Sequence, residues 1–325
     1  MRDALVLLGC GWIARRHATA ARRVGLPVMF ASRDLARARA YEREFRGVAA
    51  YGSYEAALAD PRALAAVVCT PHDRHVADCR LAFDAGCHVL VEKPIARSLA
   101  EADEIIDAGA RAGRIVMVAE NFRFMPAFRH VRDLLDRRAL GDLRELHLVA
   151  RGYRQHTGWR ASADAAGGGA LIDGGIHYVH ILRWWGGEVR RLYALRPAPT
   201  LPRFAAEDAI AFLATLDDNV LGFLANSLAA PGLPRLQWST LTGTAASAFV
   251  DNRGRFVVTR GPGGFHFRLF RRDLRGHEAM LRALGASIRA GTAPESDGRS
   301  GRRDLEIVLA AYRSVIERRP VDLGC

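Results

Sequence analysis

The first 120 residues alternate short apolar runs with longer segments of helical periodicity. The runs are apolar at nearly every position, which is typical of strands that are covered on both faces. This alternation predicts a parallel sheet between two layers of helices. The predicted strands cover 4–8, 27–31, 48–51, 64–69, 88–91 and 115–119, and the predicted helices cover 12–24, 34–45, 73–85 and 98–112. Asp34 is the expected N-cap of the second helix, and Ser98 with Glu101 has the spacing of a capping box.

After residue 120 the pattern changes to longer strands, separated by turn sequences such as D-D-N at 217–219 and G-P-G-G at 261–264. The predicted strands cover 143–153, 208–216, 220–229, 235–242, 246–250, 255–259 and 265–270, and the predicted helices cover 127–138, 171–185, 277–290 and 303–318. We therefore expect two domains. Residues 1–120 would form an α/β nucleotide-binding domain, and residues 121–325 an α+β domain with a large antiparallel sheet.

The composition is that of a soluble globular protein, with 50% hydrophobic and 25% charged residues among 325. The net charge of +12 does not indicate nucleic-acid binding, because the arginines are scattered and do not alternate with aromatic residues. The apolar start is too short for a signal peptide, and no stretch is long enough to span a bilayer. Five cysteines without a C-x-x-C pair suit a reducing compartment. We expect a cytoplasmic protein with no nucleic-acid or membrane partner.

Lys93 is the only lysine of the chain, since 46 of the 47 lysine and arginine residues are arginine. Arginine stays charged in proteins, whereas burial or a nearby cation can lower the pKa of a lysine toward neutrality. Lys93 stands in the sequence V-E-K-P, so we interpret it as a group that carries out proton chemistry.

The sequence G-C-G-W-I-A at residues 9–14 follows the first strand and opens the first helix. This is the G-x-G-x-x-A pattern and the structural context of a dinucleotide-binding turn. Gly9 and Gly11 permit the tight turn and the close approach of a pyrophosphate, and the helix N-terminus supplies amide donors. The first domain is therefore predicted to have a Rossmann fold.

The end of the second strand reads Ala31-Ser32-Arg33-Asp34. An NAD enzyme usually has an acidic residue there to bind the ribose hydroxyls. Ser32 and Arg33 would instead hold a 2′-phosphate, so we favour NADP(H) over NAD(H). The alternative is that Asp34 reaches the ribose and Arg33 points to solvent.

Four segments together resemble the glucose–fructose oxidoreductase / inositol dehydrogenase (Gfo/Idh/MocA) family. They are G-C-G-W-I-A, T-P-H-D-R-H at 70–75, G-C-H-V-L-V-E-K-P at 86–94 and G-G-G-A-L-I-D-G-G-I-H at 167–177. One departure is His72, where the family usually has Asn. The resemblance runs through nearly the whole chain. It implies a Rossmann domain, a second domain with an open-faced antiparallel sheet, and hydride transfer between nicotinamide C4 and a hydroxyl or carbonyl carbon.

The resemblance also implies the positions of the functional residues. The catalytic lysine of the family corresponds to Lys93, and its Asp and His correspond to Asp173 and His177. The cofactor-binding positions correspond to Gly9, Gly11, Trp12, Ile13, Ser32, Arg33, Thr70, Pro71, His72, His75, Glu92 and Lys93. We expect Glu92 to brace the loop rather than to act on the substrate.

Oxidation of an alcohol needs a base for the hydroxyl proton, and reduction of a ketone needs an acid in the same place. Asp173 and His177 are four residues apart on a predicted helix and would share one face. We assign the proton to His177, polarisation of the same oxygen to Lys93, and positioning of one or both to Asp173. His180 continues this face, which leaves a zinc site as an alternative, but we predict no metal.

The predicted substrate contacts come from two segments of the chain. Asn121 and Arg123 follow the sixth strand, where ligands bind in such sheets. Tyr153, Arg154, His156, Trp159 and Arg160 precede the glycine run. Aromatic, Arg and His side chains suit a polyhydroxylated ring, and they would equally suit a carboxylate or a phosphate.

We therefore expect an NAD(P)-dependent oxidoreductase that acts on a sugar, cyclitol or related polyol. Its open sheet would expose a wide face, so we expect a homo-oligomer, either a dimer or a tetramer. Two alternatives remain. One is a family member that uses bound NAD(P) within a redox-neutral reaction. The other is a non-catalytic NAD(P)-sensing regulator, which would have lost one of Lys93, Asp173 and His177.

Overall fold

The computed structural model describes residues 2–202, 204, 206–231 and 236–324. The chain forms two compact units. The first comprises Met1–Glu120 and His277–Arg302, and the second comprises Asn121–Gly276 and Arg303–Cys325.

The first unit is built on a parallel sheet. Its elements up to residue 120 are β1 (Ala4–Leu8), α1 (Trp12–Arg23), β2 (Val28–Ala31), α2 (Leu35–Phe45), β3 (Ala49–Tyr51), α3 (Tyr54–Leu58), β4 (Ala63–Val68), α4 (His75–Asp84), β5 (His88–Val91), α5 (Leu99–Arg111) and β6 (Val116–Val118). The strand order is β3-β2-β1-β4-β5-β6, and all neighbours are parallel. This is the order of dinucleotide-binding domains, in which the crevice opens between β1 and β4. The predicted α/β class is confirmed.

Two predicted helix caps are present in this unit. The Asp34 side chain accepts hydrogen bonds from two amides in the first turn of α2, and Ser98 accepts one from the amide of Glu101 at the start of α5. The second bond of the predicted capping box is shifted by one residue, because the Glu101 carboxylate accepts from the amide of Arg97, 2.9 Å away. Both helices therefore begin where polar side chains satisfy their first amides.

After residue 120 the chain continues with a different set of elements. They are α6 (Pro126–Asp136), β7 (Leu143–Arg151), α7 (Ala163–Ala166), α8 (Ile176–Gly186), β8 (Val189–Leu195), β9 (Ala209–Leu216), β10 (Leu221–Ser227), β11 (Leu236–Gly243), β12 (Ser247–Asp251), β13 (Phe256–Gly261), β14 (Gly264–Leu269), α9 (His277–Ala290), α10 (Gly298–Glu317) and β15 (Val321–Asp322).

The segment His277–Arg302 belongs to the first unit, whereas the division at residue 120 had assigned it to the second. Glu278 on α9 forms a 3.1 Å ion pair with Arg23 on α1. Ser296 accepts a hydrogen bond from the amide of Val118 at 2.7 Å through its carbonyl oxygen, and its hydroxyl donates to the Val118 carbonyl at 2.8 Å. Because Arg23 and Glu278 are 255 residues apart and Val118 and Ser296 are 178 residues apart, no local pattern indicates the grouping.

The second unit contains a nine-stranded sheet in the order β14-β13-β12-β11-β7-β10-β9-β8-β15. Most neighbouring strands are antiparallel, as predicted, but β7 and β10 are parallel. The sheet is therefore mixed at this one pair. The direction of β10 relative to β7 depends on which strands become neighbours, and alternation within a strand does not specify that.

Helix α8 packs against one face of this sheet. A Cβ atom at Gly186 on α8 would lie 2.5 Å from a Leu146 methyl group, and a Cβ at Gly222 on β10 would lie 3.0 Å from Leu182. The opposite face is more exposed, as the alternating burial of β9 and β10 shows. One face thus belongs to the core, and the other carries exposed apolar side chains.

Further differences concern short or irregular elements. The predicted helix over 171–185 begins with a π-helical turn, Leu171–Gly175, before α8. The sequence does not predict four of the labelled elements: α3, α7 and β15 are too short for a periodic pattern, and consecutive arginines at 190–191 interrupt the alternation of β8. The predicted helix over 303–318 begins earlier, at Gly298. Arg235, the first residue of a predicted strand, and Cys325 lie outside the described residues.

Candidate active site

The turn between β1 and α1 has the geometry that the glycine pattern predicts. Gly9 has φ = +93°, and a Cβ there would lie 3.3 Å from the carbonyl oxygen of Cys69. Gly11 is the N-cap of α1, and no other described residue has a heavy atom within 4 Å of the position that its Cβ would occupy, apart from the two chain neighbours and the helix's own backbone. Trp12 is 60% exposed beside this opening. Because glycine has no side chain, the space in front of the first amides of α1 stays open at Gly11. This space fits a pyrophosphate.

The loop after β4 lies against this turn. The hydroxyl oxygen of Thr70 is buried and has no hydrogen-bond partner among the described residues. Its methyl carbon would lie 3.3 Å from a Cβ at Gly9. Buried hydroxyl groups are usually paired, so an unpaired one at the crevice fits a ligand group as its partner. Pro71 follows as the N-cap residue of a short 3-10 helix.

Two histidines of the same loop are buried, His72 and His75. Nδ1 of His75 lies 3.0 Å from the Pro94 carbonyl oxygen, and its Nε2 lies 3.2 Å from the Thr70 carbonyl oxygen. Burial lowers the pKa of His75, which favours its neutral form. His75 thus braces the loop after β4 against the loop after β5. Its ring centroid lies 5.5 Å from that of His72.

At the end of β2, the side chain of Asp34 accepts hydrogen bonds from backbone amides. Its Oδ1 accepts from the amides of Ala36 at 2.9 Å and Arg37 at 3.2 Å. Ser32 is buried, and its hydroxyl oxygen accepts from the Asp34 amide at 3.2 Å. Arg33 is exposed. The acid that would otherwise bind ribose hydroxyls therefore serves as a helix cap.

The sequence E-K-P follows β5, at the carboxyl edge of the sheet. Oε1 of Glu92 lies 2.7 Å from Nε2 of His17, and both side chains are buried. The second carboxylate oxygen accepts from the Lys93 amide at 3.2 Å. The peptide bond between Lys93 and Pro94 is cis. Glu92 thus braces the backbone that carries the only lysine, as expected, and its partner is on α1.

The second unit holds Asp173 in the π-helical turn. Oδ2 of Asp173 lies 3.2 Å from Nε2 of His156, and Oδ1 lies 3.5 Å from Nε of Arg160. The Arg160 guanidinium also lies 4.2 Å from the centroid of the Trp159 ring. Arg160 is thereby placed between an aromatic ring and a carboxylate, which fixes the direction of its donors.

His177 is in the first turn of α8, four residues after Asp173. Its ring is stacked on Phe122, with centroids 4.3 Å apart and planes inclined by 7°. Phe122 also contacts Tyr178 and Phe128 edge to face, so the Phe122 ring is itself held in place. The imidazole plane of His177 is therefore fixed by packing.

The remaining predicted substrate residues have different surroundings. Nδ2 of the buried Asn121 donates to the Arg275 carbonyl at 2.7 Å, and the Arg123 guanidinium lies 4.8 Å from the centroid of Trp184. Tyr153 is half-exposed and accepts a hydrogen bond from Gln155. The structure brings Arg160 and Trp159 together with Asp173, while Asn121 and Arg123 contact other parts of the fold.

Two members of these networks were not assigned roles from the sequence. His17 is a helical residue 75 positions from its partner, and nothing local marks it. Phe122 gives no signal in the sequence, because an apolar residue after a strand is indistinguishable from core. His156 is among the loop residues that the sequence offers as substrate contacts. Its pairing with Asp173 has no signal in the sequence beyond the residue type.

Two models of one family match the chain. The first, described as an oxidoreductase family with an NAD-binding Rossmann fold, matches residues 4–120, and the second, described as the GFO/IDH/MocA C-terminal domain, matches residues 128–249. Together they cover more than half of the sequence. The chain belongs to the Gfo/Idh/MocA oxidoreductase family.

Curated relatives of this Gfo/Idh/MocA protein are also oxidoreductases. Trans-1,2-dihydrobenzene-1,2-diol dehydrogenase from Macaca fuscata fuscata is 37% identical over 155 residues, 48% of this chain and 46% of the relative. An uncharacterized oxidoreductase from Rhizobium meliloti is 34% identical over 169 residues, 52% of this chain and 51% of the relative. The chain spans about half the length of the curated relatives it matches.

Solved structures similar to this Gfo/Idh/MocA chain establish its fold. Levoglucosan dehydrogenase in complex with NADH has a TM-score of 0.91 and 19% identity, with 100% of both chains covered. An aldose-aldose oxidoreductase from Caulobacter crescentus, complexed with glycerol, has a TM-score of 0.89 and 23% identity, with 99% of this chain and 100% of that chain covered.

His180 is the third residue of the alternative zinc site, and its side chain is held by another residue of the second unit. Its Nδ1 lies 2.8 Å from Oδ2 of Asp304, and Arg183 donates to the other carboxylate oxygen at 2.6 Å. Among the described residues, no three His, Cys, Asp or Glu side chains are grouped in a way that would hold a metal ion. Likewise, no helix in the described part of the chain is long and apolar enough to cross a bilayer.

A separate cavity of about 590 Å³ lies in the second unit of this Gfo/Idh/MocA chain. Alanines of β9 and β10 line it together with Arg151, Arg196 and the segment that follows β8. None of the predicted site residues lines this cavity. It is therefore distinct from the groups around Asp173 and His177.

Proposed function

We propose that the protein is an NAD(P)-dependent oxidoreductase that acts on a hydroxyl or carbonyl carbon of a sugar, cyclitol or related polyol. The observation that carries this proposal is the contact between His17 and Glu92. Helix α1 begins at the dinucleotide turn, and His17 on that helix bonds the residue directly before the only lysine. Lys93 is therefore fixed at the carboxyl edge of the sheet, where this class of fold binds its ligands.

The first unit supplies the groups that would hold the nucleotide. Gly9 and the amides of α1 suit the pyrophosphate, and the unpaired hydroxyl of Thr70 suits a further ribose or amide group. A nicotinamide cofactor held by these groups would supply or accept the hydride. The residues of the chain must then move the proton of the substrate oxygen and orient the carbon.

His177 is the proposed proton donor and acceptor. Its ring is held in one plane by Phe122, and imidazole is the side chain that most often transfers protons in enzymes. Lys93 donates a hydrogen bond to the same oxygen and stabilises negative charge there in the transition state. Asp173 positions these groups, together with His156 and Arg160, whose nearest nitrogens lie 3.2 and 3.5 Å from its oxygens.

The groups around Asp173 favour a polyol as substrate. The Arg160 guanidinium lies over the Trp159 ring, 4.2 Å from its centroid, and Nε of Arg160 lies 3.5 Å from Asp173. An aromatic ring beside hydrogen-bond donors suits a sugar or cyclitol, since C–H groups stack on aromatic faces and hydroxyls accept from the donors. Tyr153 extends the same loop, and we propose it as a weaker contact. Asn121, which holds the Arg275 carbonyl, and Arg123, which lies over the Trp184 ring, are further proposed substrate-binding residues.

We propose NADP(H) as the preferred cofactor. Asp34 already accepts two backbone amides, so its carboxylate is engaged as a cap. Arg33 and Ser32 remain beside the end of β2, and a guanidinium with a hydroxyl suits a 2′-phosphate.

We further propose that the protein forms a homo-oligomer through the exposed sheet face. Four aromatic rings stack across neighbouring strands of this face, namely Trp238, Phe249, Phe256 and Phe267, with successive centroids 6.2, 6.2 and 5.4 Å apart. Phe267 is 57% exposed, and Phe265 and Leu269 on the same strand are also exposed. An apolar patch of this kind on a sheet usually marks an interaction surface.

A panel of sugars and cyclitols, each assayed with NAD⁺ and NADP⁺, tests the proposed function. We expect steady growth of absorbance at 340 nm with at least one polyol, in proportion to the carbonyl product. If product accumulates at constant absorbance, the reaction is redox-neutral. If no polyol raises the absorbance with NAD⁺ or NADP⁺, and no corresponding ketone lowers it with NADH or NADPH, the proposed function is wrong.

A further inference from the structure

A buried acid and a phenol cap the backbone that leads into the π-helical turn. Oε1 of Glu207 accepts from the amide of Leu171 at 2.9 Å and from the hydroxyl of Tyr312 at 2.7 Å. The Tyr312 oxygen in turn accepts from the amides of Gly169 at 3.3 Å and Ile172 at 3.2 Å.

The backbone carbonyl of Glu207 completes this arrangement, because it accepts from the amide of Ala170 at 2.8 Å. Four consecutive amides before Asp173, those of residues 169–172, are thus bound by Glu207 or Tyr312. The first amides of a helix have no partners within the helix and need external acceptors. In this unit, two residues that are distant in sequence provide them, Tyr312 through its hydroxyl and Glu207 through its carboxylate and its backbone carbonyl.

The hydrogen-bonding capacity of the phenol matches its contacts. A tyrosine hydroxyl has one donor and two acceptor positions, and Tyr312 uses one donor toward Glu207 and two acceptors toward amides. Burial raises the pKa of Tyr312 far above its usual value, so it keeps its proton. Burial also raises the pKa of Glu207. A fully paired buried network of this kind holds its members in one geometry.

The glycine run before Asp173 makes this contact possible. A Cβ at Gly168 would lie 2.6 Å from the Tyr312 oxygen, and a Cβ at Gly169 would lie 2.1 Å from the Glu207 carbonyl oxygen. Any larger residue at either position would displace the pair. The glycines are therefore explained by the close approach of Glu207 and Tyr312 to the backbone.

We propose that Glu207 and Tyr312 are positioning residues, which fix the π-helical turn so that Asp173 and His177 are presented in the geometry the reaction needs. The amide of Asp173 itself donates to the carbonyl of Gly169, 3.1 Å away, so the capped residues hold Asp173 directly. Short π-helical turns inside helices are frequent at functional sites. The role of the pair rests on the proposed function.

The test compares Tyr312→Phe, Glu207→Gln and Glu207→Ala with Tyr193→Phe, a matched control on β8. Loss of the phenol leaves two amides unbound, and a displacement of about 1 Å is expected to lower kcat by about 10²-fold. Glu207→Ala should behave similarly. Glu207→Gln should keep most of the activity, because the amide oxygen still accepts from Leu171 and Tyr312. The Kd for the nucleotide should not change in any variant, since its site is in the first unit.

Hydrogen exchange of the amides at 169–172 gives a readout that needs no activity. Exchange should be faster in Tyr312→Phe than in Tyr193→Phe. Faster exchange with unchanged kcat, or a fall in kcat with equal loss of nucleotide affinity, would overturn the positioning role.

Two further outcomes are informative. If the wild type shows no nicotinamide-dependent turnover, the proposed function fails, and the hydrogen exchange data alone decide whether the pair holds the turn. If Tyr312→Phe does not fold, Glu207→Gln and Glu207→Ala carry the comparison. Equal kcat in those two variants would overturn the proposal.

Discussion

The imidazole of His17 and the carboxylate of Glu92 form a buried hydrogen bond of 2.7 Å between α1 and the end of β5. Burial by itself would raise the pKa of Glu92, but the hydrogen bond and charge of His17, with the charge of Lys93, outweigh it and lower the pKa to about 2. Glu92 is therefore ionised at neutral pH. It links the helix of the dinucleotide turn to the backbone of Lys93.

This pair predicts a specific loss of stability in acid. A carboxyl group whose pKa falls on folding stabilises the protein above its unfolded pKa, and the contribution is lost as the pH falls through the folded pKa. For Glu92 the window runs from its usual value of 4.5 down to about 2, and the shift corresponds to about 3 kcal/mol. The free energy of unfolding, measured with urea at pH 7, 5, 3 and 2, should fall less toward low pH in Glu92→Gln than in the wild type, because the variant lacks the contribution of this carboxylate. Glu55→Gln, a change at the surface of α3, should follow the wild type, and parallel curves for Glu92→Gln and wild type would contradict the assignment.

Replacement of the only lysine by arginine keeps the charge but removes a group that can share a proton. We expect Lys93→Arg to lower kcat by about 10²–10⁴-fold, the range typical of general acid–base groups. The Kd for the nucleotide should stay near that of the wild type, measured by fluorescence titration. Arg111→Lys is the control, because it exchanges the same two residue types in the opposite direction at the exposed end of α5. Near-normal turnover in Lys93→Arg would remove Lys93 from the chemistry.

The arginine after β2 should determine the choice of cofactor. A charge-assisted contact with phosphate contributes about 1.5–3 kcal/mol, so Arg33→Ala should weaken NADP(H) binding by about 10- to 100-fold. Binding of NAD(H) should hardly change. Arg39→Ala, also exposed and on α2, separates a specific contact from loss of general positive charge. A wild type that binds both cofactors equally, or an Arg33→Ala variant that loses both equally, would argue against NADP(H).

The stacked aromatic rings of the exposed sheet face predict a self-associating protein. Phe267→Asp places a charge in the centre of this face and should shift the molar mass in solution toward the monomer, measured by light scattering after size exclusion. Ile316→Asp is the control, because Ile316 is 79% exposed on α10 rather than on the sheet. A wild type that is monomeric at micromolar concentration would refute the proposed oligomer.

Local features of the fold could be predicted because their causes lie in neighbouring residues. The glycines of the first turn, the cap at Asp34 and the apolar runs of β1 and β4 act within a few positions of each other. The spacing of residues along the sequence therefore specifies the hydrogen bonds and the burial of these elements. The parallel sheet and the dinucleotide turn follow from these signals.

Other features depended on partners that are far apart along the chain. The sequence placed Asp173 on a regular helix, but the structure has a π-helical turn there, next to amides that bind Glu207 and Tyr312. Tyr312 contacts residues about 140 positions earlier, and no period or motif within a window of sequence marks such a contact.

The sequence by itself therefore determined the fold class, the dinucleotide turn and the residue types of the chemistry. The tertiary structure decided which distant groups hold those residues: His17 for Glu92, and His156 and Arg160 for Asp173. The physical reason is that local backbone preferences act over a few residues. Burial and hydrogen bonding, in contrast, select partners only when strands and helices have packed together.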